Sequence, residues 1–288
     1  MEGEGGKAAF VLQGRCHPYE GYSYWQCCYY VWVLKALGVE LLILSNAAGG
    51  LDPSLKTGQI VLIKDHISIP SLDGGNPLYA LNDERLCAER FVVTGGMYDV
   101  ALRRQVRQCA RSLGLKEKDA QGAAGGKEKG DADITEGVYS CIAGPSYATQ
   151  AECRMFRQWG ADLIGMSTTF EATVARAIGM RIVAFSVVTD TVPLDLDDSS
   201  DGDEPAVTVK AETAKEGAAS SVSSVSSAVR AEAAAGADKV DGKQVQVEHG
   251  PEGEGEFGHS EVLKQGAKQV DKVFKLLSAF ILDYSYSS

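Results

Sequence analysis

The chain has 288 residues, 44% of them hydrophobic, and a formal net charge of −11 at pH 7. That length supports a sizeable core in one domain or two, and no apolar run approaches the roughly 18–20 residues of a membrane-spanning helix. The acidity is local: residues 195–256 hold 15 acidic and 5 basic side chains, so the remainder is close to neutral and carries no basic stripe suited to nucleic acid.

The amino-terminal M-E-G-E-G-G-K lacks a signal peptide's hydrophobic region. Seven cysteines form no C-x-x-C, which points to reduced, buried thiols in a cytoplasmic protein. Residues 8–12 read as a strand, and 24–37 as a buried helix ending at Gly38. Short apolar strands are predicted at 41–44 and 60–63. Residues 97–113 have helical apolar spacing at Val100, Leu102, Val106 and Ala110. Then come a strand at 138–142, a helix at 150–159, a strand at 163–166, a helix at 171–178, a β-branched strand at 182–188 and a closing helix at 261–282. Alternating strands and helices predict an α/β fold, a three-layer α/β/α sandwich around a mixed, largely parallel sheet. Residues 116–133 and 195–256 break the rhythm. Their Gly, Ala, Ser, Lys and acidic composition buries too little apolar surface to offset ordering, so both read as disordered insertions into a domain spanning 7–288.

Two polar segments stand out. Q-G-R-C-H-P-Y-E-G-Y at 13–22 places Arg15, a planar fork for an oxyanion, beside His17, which titrates near neutrality, and Glu20, which can fix the imidazole tautomer. An ordinary charged turn has the same composition. The second segment, S-N-A-A-G-G at 45–50, follows a strand, where open α/β sheets bind ligands.

These segments, with G-Q-I-V-L-I-K-D-H-I at 58–67, N-D-E-R at 82–85, A-G-P-S-Y at 143–147, G-A-D-L-I-G-M-S-T at 160–168 and H-S-E-V-L at 259–263, resemble the trimeric purine nucleoside phosphorylases in the family's order. The resemblance implies a homotrimer that cleaves purine nucleosides with inorganic phosphate, giving free base and ribose 1-phosphate, with no metal or organic cofactor. Arg15, His17, Ala47 and Ser167 match the phosphate-binding positions, and His17 and Asp190 the catalytic ones. Tyr19, Met166 and His259 match ribose contacts, and Phe91 the phenylalanine that enters a neighbouring subunit's ribose pocket. Tyr147, Ala148, Ile164, Thr189 and Asp190 match the base pocket.

Here the chain departs from the family. Ala148 replaces a glutamate that bonds N1–H of 6-oxopurines, and Asp190 replaces an asparagine. A small residue with an aspartate is the pattern of the related methylthioadenosine phosphorylases, whereas His259 suits a free 5′-hydroxyl. Both substrate classes therefore stay open. The family also begins with a strand, a glycine-rich phosphate loop and a helix, none of which precedes Ala8. The expectation is a sequence starting at an internal methionine or a shortened paralogue, the latter an inactive nucleoside-binding protein.

Overall fold

The computed structural model describes residues 8–79, 89–117, 132–192 and 269–284. A 3₁₀ turn (Pro18–Glu20) precedes α1 (Tyr24–Cys27), α2 (Tyr29–Ala36), β1 (Leu41–Gly50), β2 (Ile60–Ser68) and α3 (Ile69–Leu72). Then follow α4 (Val100–Ser112), β3 (Ile134–Cys141), α5 (Gln150–Gln158), β4 (Leu163–Gly165), α6 (Thr169–Ala177), β5 (Arg181–Thr191) and α7 (Val270–Asp283). Local chemistry sets several boundaries. The Asp99 carboxylate caps α4 by accepting from Leu102 N at 3.0 Å. Thr149 and Glu152 form a reciprocal capping box on α5. Gly38, at φ +86°, closes the end of α2 as expected, although the helical stretch is divided at Cys28.

The protein is α/β. Its sheet is mixed and closes on itself in the order β1-β4-β3-β2-β5. The β1–β5, β2–β3 and β3–β4 pairs are parallel, while β1–β4 and β2–β5 are antiparallel. Strand alternation divides the core. Val61, Ile63, Ile182 and Ala184 pack with Val31 and Leu34 of α2 and Phe170 and Val174 of α6. Their strand neighbours Ile60, Leu62, Val183 and Phe185 pack with Leu102 and Val106 of α4 and Leu276 and Phe280 of α7. Both sheet faces are therefore apolar and covered by helices, which is why the strands read as continuous apolar runs. Each fully buried Leu, Ile or Phe contributes about 1.5–3 kcal/mol to this core.

Three expectations change. Residues 8–12 form no strand, and Val11 is 91% exposed. An extended segment becomes a strand only where a ladder satisfies its backbone, and none flanks it among the described residues. The predicted strand at 41–44 continues through the expected loop at 45–50, because β5 runs beside it from Leu41↔Arg181 to Gly50↔Thr191 with a bulge at Ala48/Gly49. The ends of the 116–133 insertion are ordered. Asp133 N donates to Lys116 O at 2.8 Å, and Glu117 pairs with Arg107 and Arg111. Residues 118–131 and 195–256 lie outside the described residues, as does the first part of the predicted 261–282 helix.

Among the described residues all six cysteines are free and five are buried. Burial pushes the Cys27 thiol up to about 12, which keeps it protonated and unreactive. No helix of the described residues is long and apolar enough to cross a membrane. None of their His, Cys, Asp and Glu side chains cluster in a way that would hold a metal ion.

Candidate active site

The bulged end of β1, the end of β5, the turn after β4, the loop before α5 and the segment around Arg15 meet at one cleft of about 1380 Å³. Arg15, His17, Tyr19, Ala47, Tyr147, Ala148, Ile164, Met166, Ser167, Thr189 and Asp190 all line it. Phe91 does not; it is 87% exposed and lies outside the cleft. His259 and the N-D-E-R segment lie outside the described residues. Apolar Phe10, Leu12, Leu37 and Leu277 line the cleft as well.

One end is built around Arg15. Its Nη1 donates to Thr168 Oγ1 at 3.0 Å and to Glu171 Oε1 at 3.3 Å, and its Nη2 donates to Ser45 O at 2.8 Å. A guanidinium has five N–H groups, so among the described residues these three bonds leave two. The contacts come from β1, the turn before α6 and α6 itself, so the fork is held before any ligand arrives.

Thr168 is the hinge of this end. At φ +77° and ψ −43° it is the lone non-glycine with positive φ among the described residues. Thr169 N donates across it to Ser167 O at 2.9 Å, closing a γ-turn of the strained hand. A β-branched residue there costs about 1–3 kcal/mol. Hydrogen bonds to its hydroxyl offset that cost: Asn46 Nδ2 donates to Oγ1 at 2.8 Å alongside Arg15, and Ser167 Oγ lies at 3.3 Å. With two N–H donors filling its lone pairs, Thr168 Oγ1 sends its own proton to Ser167 Oγ. Ser167 then accepts from Thr168, and its hydroxyl proton is left to donate elsewhere. Tyr139 OH anchors the same turn by accepting from Ser167 N at 3.3 Å, an approach that leaves no room for a side chain at Gly165.

His17 completes this end. Glu20 Oε1 lies 3.0 Å from its Nδ1 and accepts from its backbone N at 3.2 Å. As Glu20 accepts, Nδ1 carries a proton and Nε2 is the ring nitrogen without this partner. Tyr19 stacks on the imidazole with centroids 4.8 Å apart. A Cβ at Gly144 would fall 2.5 Å from Met166 Sδ and 2.9 Å from Tyr19, so the glycine lets these two expected ribose contacts come together.

The other end is looser. Tyr147 is 58% exposed, and Ala148 is half-buried. Asp190 Oδ1 accepts from Thr191 N at 2.8 Å, while Thr189 Oγ1 reaches Ala48 O at 3.4 Å.

Sequence reasoning missed Ser45, Asn46, Tyr139, Thr168 and Glu171. A signal existed for the last: Glu171 is a carboxylate beside Phe170 and Ala172 on a mostly apolar helix.

A family model of the phosphorylase superfamily matches residues 3–229. The purine nucleoside phosphorylase of Bos taurus is 40% identical over 190 residues, 66% of this chain and 60% of its own length. Purine nucleoside phosphorylase 1 of Geobacillus stearothermophilus is 40% identical over 185 residues, 64% of this chain and 60% of its own length. The chain thus spans 60% of the length of these curated relatives. A crystal structure of Schistosoma mansoni purine nucleoside phosphorylase in complex with inosine superposes with a TM-score of 0.66 at 30% identity, covering 96% of this chain and 72% of that one. The chain belongs to the phosphorylase superfamily, within its purine nucleoside phosphorylase family.

Proposed function

We propose that this protein is a purine nucleoside phosphorylase, reversibly converting purine (2′-deoxy)ribonucleosides and inorganic phosphate to free base and (deoxy)ribose 1-phosphate. The observation that carries this reading is the Arg15–Ser167 end of the cleft. There Thr168 and Ser45 tether Arg15, and Ser167 Oγ lies 3.3 Å from Thr168 Oγ1, an arrangement that suits an anion accepting from the remaining guanidinium N–H groups and the serine hydroxyl. Solved relatives hold inosine, guanosine and adenosine.

In this reading phosphate sits against Arg15, Ser167, His17 and the backbone at Ala47. Tyr19, Met166 and His259 hold the ribose. The bond from the anomeric carbon to the purine nitrogen lengthens, its electron pair moves into the base, and the sugar becomes oxocarbenium-like. A phosphate oxygen on the opposite face then forms the new bond to that carbon. Tyr147 and Ile164 pack on the purine; the proton that hydrogen phosphate gives up as it becomes the sugar phosphate reaches N7 of the departing base through solvent, and Asp190 accepts a hydrogen bond from that N7–H. Inorganic phosphate is a substrate and no cofactor is required. The layering of α2 and α6 against α4 and α7 supports a three-layer α/β/α description. The protein is read as cytoplasmic and homotrimeric, and the exposure of Phe91 suits its reaching a neighbour's ribose pocket.

The test is base release from inosine and adenosine with and without phosphate. Release that saturates with phosphate supports the proposal, and release indifferent to phosphate defeats it.

A second reading concerns the base. Ala148 offers no partner to N1–H, and an ionised Asp190 accepts but does not donate. Both favour 6-amino over 6-oxo purines, the adenosine-type alternative.

A further inference from the structure

Glu171 is the group in the site that packing alone explains least. It lies in the first turn of α6 and is 0% exposed. Phe170, Ala172 and Val174 around it already fill the core, and none requires a charge. A carboxylate this deep is strongly destabilising unless a cation and hydrogen bonds hold it. Its Oε1 has one such partner, Arg15 Nη1 at 3.3 Å. Its Oε2 is buried with no hydrogen-bond partner among the described residues. The hydrogen bonding of this buried charge is thus directed at a single guanidinium, 156 residues away in sequence.

We infer that Glu171 is a positioning residue for the anion, an inference that rests on the phosphorolytic reading above. Arg15 is restrained at three points: Ser45 O on Nη2, and Thr168 Oγ1 and Glu171 Oε1 on Nη1. The first two are neutral acceptors. Glu171 supplies the charged one, and charge-assisted bonds are about twice as strong as neutral bonds. With it, the plane of the guanidinium is fixed and its two free N–H groups keep one direction. Without it, Nη1 is held by Thr168 alone and the fork must be ordered when phosphate binds, which weakens affinity. Glu171 touches neither phosphate nor nucleoside in this account; it acts through Arg15.

The experiment is calorimetric titration of the full chain with inorganic phosphate, in the native protein and in Glu171→Gln, Glu171→Asp, Arg15→Gln and the Arg15→Gln/Glu171→Gln double variant. Circular dichroism melting serves as the folding control. Loss of the charged restraint weakens phosphate in Glu171→Gln by about tenfold or more, with Glu171→Asp in between. In steady-state assays the loss falls on KM for phosphate, leaving KM for nucleoside within about twofold. In the Arg15→Gln background, Glu171→Gln changes phosphate affinity by less than about twofold, because the side chain it positions is gone. If Glu171→Gln does not fold, Glu171→Asp and the double variant, which removes both buried charges together, still measure the coupling. Native-like phosphate affinity in folded Glu171→Gln, or additive losses in the double variant, overturn the inference while leaving phosphorolysis intact. A native protein that binds no phosphate overturns both.

Discussion

The two ends of the cleft are built differently. At the proposed phosphate end, Arg15, Ser167 and Thr168 are tied by hydrogen bonds joining the amino-terminal segment, β1 and the turn before α6, and Ser167 is only 5% exposed. At the base end, Tyr147 is 58% exposed and sits on the loop before α5, while Asp190 stands near the end of β5. The contrast suits the proposed ligands. An oxyanion rewards donors fixed in advance, since ordering them at binding costs affinity. A base pocket carried by a loop and a strand end can change two residues, as at 148 and 190, without disturbing the core.

Replacing Arg15 by Ala should have the largest effect. It removes a charge-assisted bond of about 1.5–3 kcal/mol, raising KM for phosphate between roughly tenfold and a hundredfold. Steady-state kinetics with phosphate varied checks this, and a uniform loss on phosphate and nucleoside alike would break the contrast between the ends.

Acid should weaken the β2–β3 ladder that carries Tyr139. His66 on β2 pairs with Tyr139 on β3, and its Nδ1 lies 2.7 Å from Tyr98 OH. Burial lowers its pKa from 6.5 to about 4, against a smaller upward pull from Asp65. The unfolded chain therefore takes up this proton first. Stability is whole above about pH 6.5 and falls as pH drops toward 4, by at most about 3 kcal/mol. Urea unfolding between pH 7 and 4.5 measures it, and His66→Gln should flatten that slope.

At the base end, Asp190→Asn should move the adenosine-to-inosine ratio of kcat/KM by about tenfold toward inosine, since an amide can donate to a 6-oxo group. An unchanged ratio would mean that Asp190 does not read the six position. The smallest effect is expected from Thr168→Val, which keeps the shape and deletes the hydroxyl that orders the Ser167 proton. Phosphate affinity should fall several-fold, by about 1 kcal/mol, with nucleoside affinity unmoved. Equal losses on both ligands would show that Thr168 shapes the whole cleft.

Much of the fold was legible because strands buried on both faces read as apolar runs and helices carried caps such as Asp99 and Thr149. Residues 8–12 have the same β-favouring composition, yet a strand also needs a partner, which composition does not reveal. The extension of β1 through S-N-A-A-G-G depends on β5, some 140 residues later. Among site residues, the motifs pointed to Arg15, His17, Ala47 and Ser167. Asn46 and Thr168 lie inside those motifs and Glu171 outside them, but the roles of all three exist only through contacts more than a hundred residues apart. Nothing in the dipeptide Ser167–Thr168 announces a γ-turn.

The most direct test of the account is to follow inosine and adenosine cleavage by ³¹P NMR and base absorbance together, with the native chain and excess phosphate. Phosphorolysis gives a sugar 1-phosphate resonance growing in step with free base, one for one. Free base appearing alongside unphosphorylated ribose would mean that water attacks the sugar, and would contradict it.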